Sequence, residues 1–248
     1  MATVTCEDIE RYIEISYGYG NVHADYWLIG TEQRCTGNGR NIKRRIEKWG
    51  SKPFQDLHAY HQSIGETRYF TGKKPRLSRT WSKLICFLIG LEGEPYPQDT
   101  VIRQFQRQQL GTRQGNHCLL ELLPLPSPST KRADWPRIYK KWGKQYPRLQ
   151  YLTQRRAYES TMRRNRIRKI HNLLDRQSSA RGARVVLLYG KARDIADTPL
   201  TEHRKTPKYR KQGKTWFVST NHVTGRGSLT KKEYHQLGQF LSKKIASD

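Results

Sequence analysis

Two short apolar runs end at residues able to do acid–base work. Tyr26-Trp27-Leu28-Ile29-Gly30 leads into Thr31-Glu32-Gln33, and Trp216-Phe217-Val218-Ser219-Thr220 leads into Asn221-His222. A carboxylate such as Glu32 can orient or deprotonate water, and an imidazole such as His222 can hydrogen-bond an oxygen on which negative charge develops. Far apart in the chain, they can cooperate only if both runs are strands of one parallel sheet, because open α/β sheets bind ligands at the carboxyl edge. Glu121, within Cys118-Leu119-Leu120-Glu121-Leu122-Leu123, is the third candidate. A carboxyl group in a Leu-rich strand is costly unless paired, so Glu121 is either a site residue or salt-bridged to a basic neighbour. Plainer roles stay open for the other two: Glu32 as an N-cap or surface acid of a βα loop, His222 as a satisfied histidine at a strand end.

The elements that must carry these residues can be read from periodicity and punctuation. Cys6, Ile9, Tyr12 and Ile13 share a helical face behind a Thr5 cap. The first strand spans Tyr26 to Gly30, and the glycines of Cys35 to Arg40 mark a loop. Ile42, Ile46 and Trp49 define a helix. Ser78 caps another with Trp81, Leu84, Ile85 and Leu88, and Val101, Ile102 and Phe105 mark the next. Cys118–Leu123 is the second strand, expected to stop at Pro124-Leu125-Pro126-Ser127-Pro128-Ser129 because proline lacks the ladder donor. The third strand is Arg184 to Gly190, with Lys191 at its exit, and the fourth begins after Lys214. Thr230-Lys231-Lys232-Glu233 is a capping box opening the last helix. Strands separated by helices predict an α/β fold: a three-layer α/β/α sandwich with a short, four-stranded, mainly parallel sheet in one domain over 1–248. A basic helical insertion is expected over about 131–177 and a basic loop over about 201–214.

Charge narrows the partner. Lys and Arg number 47 against 21 Asp and Glu, a formal charge of +26. That excess points to a polyanion, most simply nucleic acid, and the 6 Trp and 14 Tyr suit base stacking between phosphate contacts. Arg163 and Arg164, in a run with few acids, are read as phosphate-facing; Ser127 and Ser129 are either contacts to the DNA backbone or part of a plain Pro-rich loop. No apolar run approaches the roughly 20 residues of a membrane span, and no secretory signal is evident. Cys6, Cys35, Cys86 and Cys118 form no C-x-x-C pair, so no metal or cofactor is indicated; a reducing, cytoplasmic setting is expected.

On these motifs the chain resembles the uracil-DNA glycosylase superfamily. Leu28-Ile29-Gly30-Thr31-Glu32 is similar to its first motif, with Glu32 at the water-activating acid. Asn221-His222-Val223-Thr224-Gly225-Arg226-Gly227 is similar to its last, with His222 at the catalytic position. Leu119-Leu120-Glu121 resembles the strand whose polar residue reads the flipped base. The resemblance implies catalysis by Glu32 and His222, base binding by Gly30, Thr31, Glu121 and Asn221, and filling of the vacated stack by Arg226 or Leu229. Where many members carry Asn, this chain has Glu121. An ionised Glu only accepts, which favours an exocyclic amine such as cytosine N4. The resemblance then extends to anti-phage glycosylases that remove glucosylated hydroxymethylcytosine, with uracil repair as the alternative. The expected protein is a monomeric hydrolase on DNA, single- or double-stranded. A metal-dependent nuclease and a non-enzymatic nucleic-acid-binding protein are the competing classes; the first would need clustered carboxylates, which are sparse at the strand exits.

Overall fold

Cap residues and apolar spacing set the helix starts in the computed structural model, which describes residues 4–129, 131–178, 183–195, 206–225 and 227–247. The chain runs α1 (Cys6–Ile15), β1 (Gly18–Gly20), β2 (Tyr26–Arg34), α2 (Gly39–Lys48), β3 (Phe54–Gln55), α3 (Leu57–Ser63), α4 (Arg79–Leu91) and α5 (Asp99–Gln108). It continues through β4 (His117–Ser127), α6 (Arg137–Gln145), α7 (Arg155–Ser178), β5 (Val185–Tyr189), β6 (Lys208–Gln212), β7 (Thr215–Thr220) and α8 (Lys231–Ala246). Thr5 and Thr230 close capping boxes on α1 and α8, and Ser78 caps α4. These side chains satisfy amide donors that the first helical turn leaves free.

The fold is α/β, but its sheet has seven strands rather than four and is mixed, in the order β3-β1-β4-β2-β5-β7-β6. Its inner four, β4-β2-β5-β7, are parallel and correspond to the four runs read from the sequence. They are deeply buried: Trp27, Leu28, Ile29 and Val185 through Leu188 have no exposed surface. β1 is antiparallel to β4, β3 parallel to β1, and β6 antiparallel to β7. β1 and β3 are too short to show a period. β6 is charge-rich and lies where a basic loop was expected; positions 201–205 of that loop lie outside the described residues. A turn with Gly213 at φ +58° joins β6 to β7, so hairpin geometry and not apolar alternation makes it a strand.

Two further expectations change. β4 does not stop at Pro124. Its register with β2 jumps from Glu32↔Leu123 to Arg34↔Ser127, so Pro124, Leu125 and Pro126 fall in a bulge that needs no ladder donors. The one amide there, Leu125 N–H, donates to Tyr158 Oη (2.8 Å), and Tyr139 Oη donates to the Pro126 carbonyl (2.8 Å). The segment 131–177, expected as a basic insertion, carries part of the core: Trp135, Tyr139, Trp142, Leu149, Leu152, Tyr158, Ile170 and Leu174 are buried, as are Arg155 and Arg166. All four cysteines are buried free thiols. Among the described residues, no helix is long and apolar enough to cross a membrane.

Candidate active site

β2 outruns one neighbour. It pairs with β5 only as far as Ile29↔Leu188, but with β4 as far as Arg34↔Ser127. Thr31 and Glu32 therefore sit within a strand, not in a loop after Gly30, and Glu32 is neither a surface acid nor a cap. Where β2 and β5 part, the Lys191 backbone N–H donates to Thr31 Oγ1 (3.0 Å). Gly190, at φ +67°, fills the crossing: a Cβ there would lie 2.7 Å from Thr31 Oγ1 and 3.1 Å from His222 Cδ2. The ends of β2 and β5 and the loop after β7 thus meet at one glycine. Gly190→Ala combines a left-handed backbone with these overlaps and is expected to cost about 1–3 kcal/mol in urea unfolding, with His222 displaced in chemical-shift maps.

His222 is half-buried and Asn221 exposed. Thr224 N–H donates to His222 Nδ1 (3.3 Å), which puts the proton of the neutral ring on Nε2. Burial first, and the Arg34 charge second, lower the imidazole pKa, favouring that neutral ring. The loop is anchored from α4, where Lys83 Nζ donates to the Val223 carbonyl (2.8 Å) and to Ser228 Oγ (2.7 Å). Asn221 Nδ2 donates back to the Gly227 carbonyl (3.4 Å), so in this structure the amide braces its own loop.

Glu32 ends a chain of charges. Its side chain is 4% exposed, and Arg155 Nη2 donates to both carboxylate oxygens (2.8 and 2.6 Å). Arg155 Nη1 donates to Ser127 Oγ and to the Ser129 carbonyl (2.9 Å each), and Nε to Glu159 Oε1 (2.7 Å). Lys191 Nζ, 40% exposed, donates to both oxygens of Glu159 (2.8 Å each). Charge therefore alternates from Glu32 inside to Lys191 at the surface. Burial pushes the Glu32 carboxyl up to about 7, against the pull of Arg155. The sequence did not reveal this partner. Arg155 lies in a basic helical run, and nothing in its spacing ties it to a strand more than a hundred residues earlier.

Glu121 stands opposite Gly30 in the sheet register. Its Oε2 is buried without a hydrogen-bond partner. Arg166 Nε donates instead to the Glu121 backbone carbonyl (3.3 Å), and Arg166 Nη1 is likewise buried and unpartnered. Burial, assisted by the Glu32 charge and opposed by Arg166, pushes the Glu121 carboxyl up to about 8. At neutral pH the group is mainly a carboxylic acid, with a donor as well as acceptors. This overturns its reading as an acceptor only, because that reading assumed an ionised group in water.

The remaining candidates differ in place. A Cβ on Gly30 would lie 2.5 Å from Tyr189 Oη, so this glycine makes room for a core ring of the protein and not for a ligand. Ser127 is 1% exposed and donates to the Ser129 carbonyl (2.9 Å), while Ser129 Oγ donates to Asp134 Oδ2 (2.5 Å). The Ser127 hydroxyl is thus turned inward onto Arg155 and not toward an outside phosphate, while Ser129, half-buried, binds Asp134. Leu229 is buried in the core and not poised at the surface. On α7, Arg164 is exposed and Arg163 half-buried; Arg226 lies outside the described residues. Of the aromatics that the sequence offers as partners for a flipped base, Tyr26, Trp27 and Phe70 are buried, and Phe54 stacks on Tyr17 (centroids 5.8 Å apart). Among the described residues, no group of three His, Cys, Asp or Glu side chains could hold a metal ion. Neither a scan against protein-family models nor a search of curated proteins returns a match.

Proposed function

We propose that this chain is a DNA glycosylase that excises a modified pyrimidine from an everted nucleotide and leaves an abasic site. The observation that supports the reading is the parallel register of β2, β5 and β7, which puts the Glu32 strand and the His222 loop at the same end of the sheet, with Gly190 close to both Thr31 and His222. Parallel inner strands alternating with helices support a three-layer arrangement of the uracil-DNA glycosylase kind. The net charge of +26 suits a phosphate backbone.

In this mechanism the base is flipped out at a cost of a few kcal/mol. His222 donates from Nε2 to pyrimidine O2 as the glycosidic bond breaks and charge moves onto the leaving base. Glu32, with its carboxyl near 7, is in the range where a general base works at neutral pH. It receives water once Arg155 yields, and its charge steadies the sugar cation. Glu121 as a neutral acid matches the cytosine edge, accepting from N4 and donating to N3, and equally the uracil edge, accepting from N3 and donating to O4. With Glu121 matching both edges, the resemblance alone favours a modified cytosine such as glucosylated hydroxymethylcytosine of phage DNA, in a cytoplasmic defence role, and uracil is the alternative base.

Mass spectrometry of bases freed from uracil-containing, hydroxymethylated and glucosylated DNA tests this. Purified protein should release one free base and leave alkali-labile sites, and His222→Ala should slow release by about 100-fold with DNA affinity unchanged. Chelator-sensitive strand cleavage without free base would replace the reading with a nuclease. Tight binding with no release from any substrate would leave a binding protein only.

A further inference from the structure

Tyr209 of β6 is 47% exposed although its neighbours are aromatic. Its ring lies 5.0 Å from Phe240 of α8 and 6.1 Å from Trp216 of β7, centroid to centroid. Lys244 Nζ sits 5.8 Å from the Phe240 ring. From Thr206 to Thr220 the chain has no acidic residue, and β6 itself reads Lys-Tyr-Arg-Lys-Gln. Lys211, Lys214, Lys243 and Lys244 are exposed on the hairpin and on the last turn of α8. A solvent-exposed tyrosine on a basic hairpin, with exposed lysines along the same hairpin and on the helix it packs against, suits stacking of unpaired bases while backbone phosphates are neutralised.

We propose that the β6–β7 hairpin and the end of α8 form a platform for single-stranded DNA, with Tyr209 as the stacking residue. The partner is a single strand because bases within a duplex cover one another's faces and offer Tyr209 nothing to stack on. An added peptide strand fits less well, since Lys and Arg along an edge strand oppose sheet extension. The platform is independent of base excision and stands whether or not the sheet-edge site cleaves a glycosidic bond.

Fluorescence anisotropy of the full chain with labelled oligodeoxythymidylate and with a duplex of equal length tests it. Tyr209→Ala should weaken single-strand binding by about 10-fold and leave duplex binding unchanged, while Tyr209→Phe binds as the parent does. Lys211→Gln combined with Lys244→Gln should flatten the salt dependence of single-strand binding. In the unsubstituted protein, oligodeoxythymidylate should shield Tyr209 from nitration by tetranitromethane, read by peptide mass spectrometry. Undiminished binding by Tyr209→Ala, equal losses on single strand and duplex, tighter binding of oligouridylate, or nitration of Tyr209 unaffected by the oligonucleotide would each overturn the proposal. None of these results depends on base release.

Discussion

Arg155→Met is expected to lower the unfolding free energy by roughly 3–5 kcal/mol, because it strands the buried Glu32 carboxylate without a counter-charge. The arginine meets Glu32, Glu159, Ser127 and the Ser129 carbonyl, and its guanidinium lies 5.4 Å from the Trp135 ring. A methionine could recover some packing but none of these bonds. Without Arg155 the Glu32 carboxyl rises further. The deficit should therefore be greatest at alkaline pH and shrink as acid protonates Glu32. Urea denaturation at pH 6 and pH 9 measures this. Adding Glu32→Gln should restore most of the loss, since a neutral amide needs no cation. A midpoint for Arg155→Met equal to that of the parent at pH 9 would mean that the network contributes no stability.

Glu121→Gln should remove most of a pH effect. The carboxyl moves from an ordinary value of 4.5 to about 8 on folding, mainly through burial, so between these values the native chain binds more protons than the unfolded one. Stability from this group is full below about 4.5 and is lost as pH rises through 8. The shift corresponds to at most about 5 kcal/mol above pH 8. Glutamine is neutral throughout, so the variant should match the parent near pH 4.5 and melt at a higher temperature at pH 9. Glu32, whose carboxyl is raised as well, gives the parent a slope of the same direction and remains in the variant as a smaller residual. Thermal melts from pH 5 to 9 distinguish the outcomes. A parent protein no less stable at pH 9 than at pH 5 would show that Glu121 folds in charged.

These two groups mark where local pattern ends. Local sequence alone marked the caps at Thr5, Ser78 and Thr230 and the four apolar strands, with Cys86 and Cys118 inside apolar runs, because each depends on neighbours a few residues away or on an uninterrupted apolar run; the burial of Cys35, in what reads as a loop, it did not show. It also put His222 just past a strand end, whereas Glu32 and Glu121, read as strand exits, lie inside β2 and β4. Tertiary structure decided what surrounds them. Arg155 reaches Glu32 from α7, beside the β4 bulge, and Thr31 and His222 both pack close to Gly190, which has no side chain to keep them away. The same packing turned Ser127 and Leu229 inward, although the first was read as a contact to the DNA backbone and the second as a filler of the vacated stack. A residue's charge state and accessibility depend on groups brought near it from distant parts of the chain. One-dimensional spacing therefore identifies the chemical groups, while packing sets their partners and protonation.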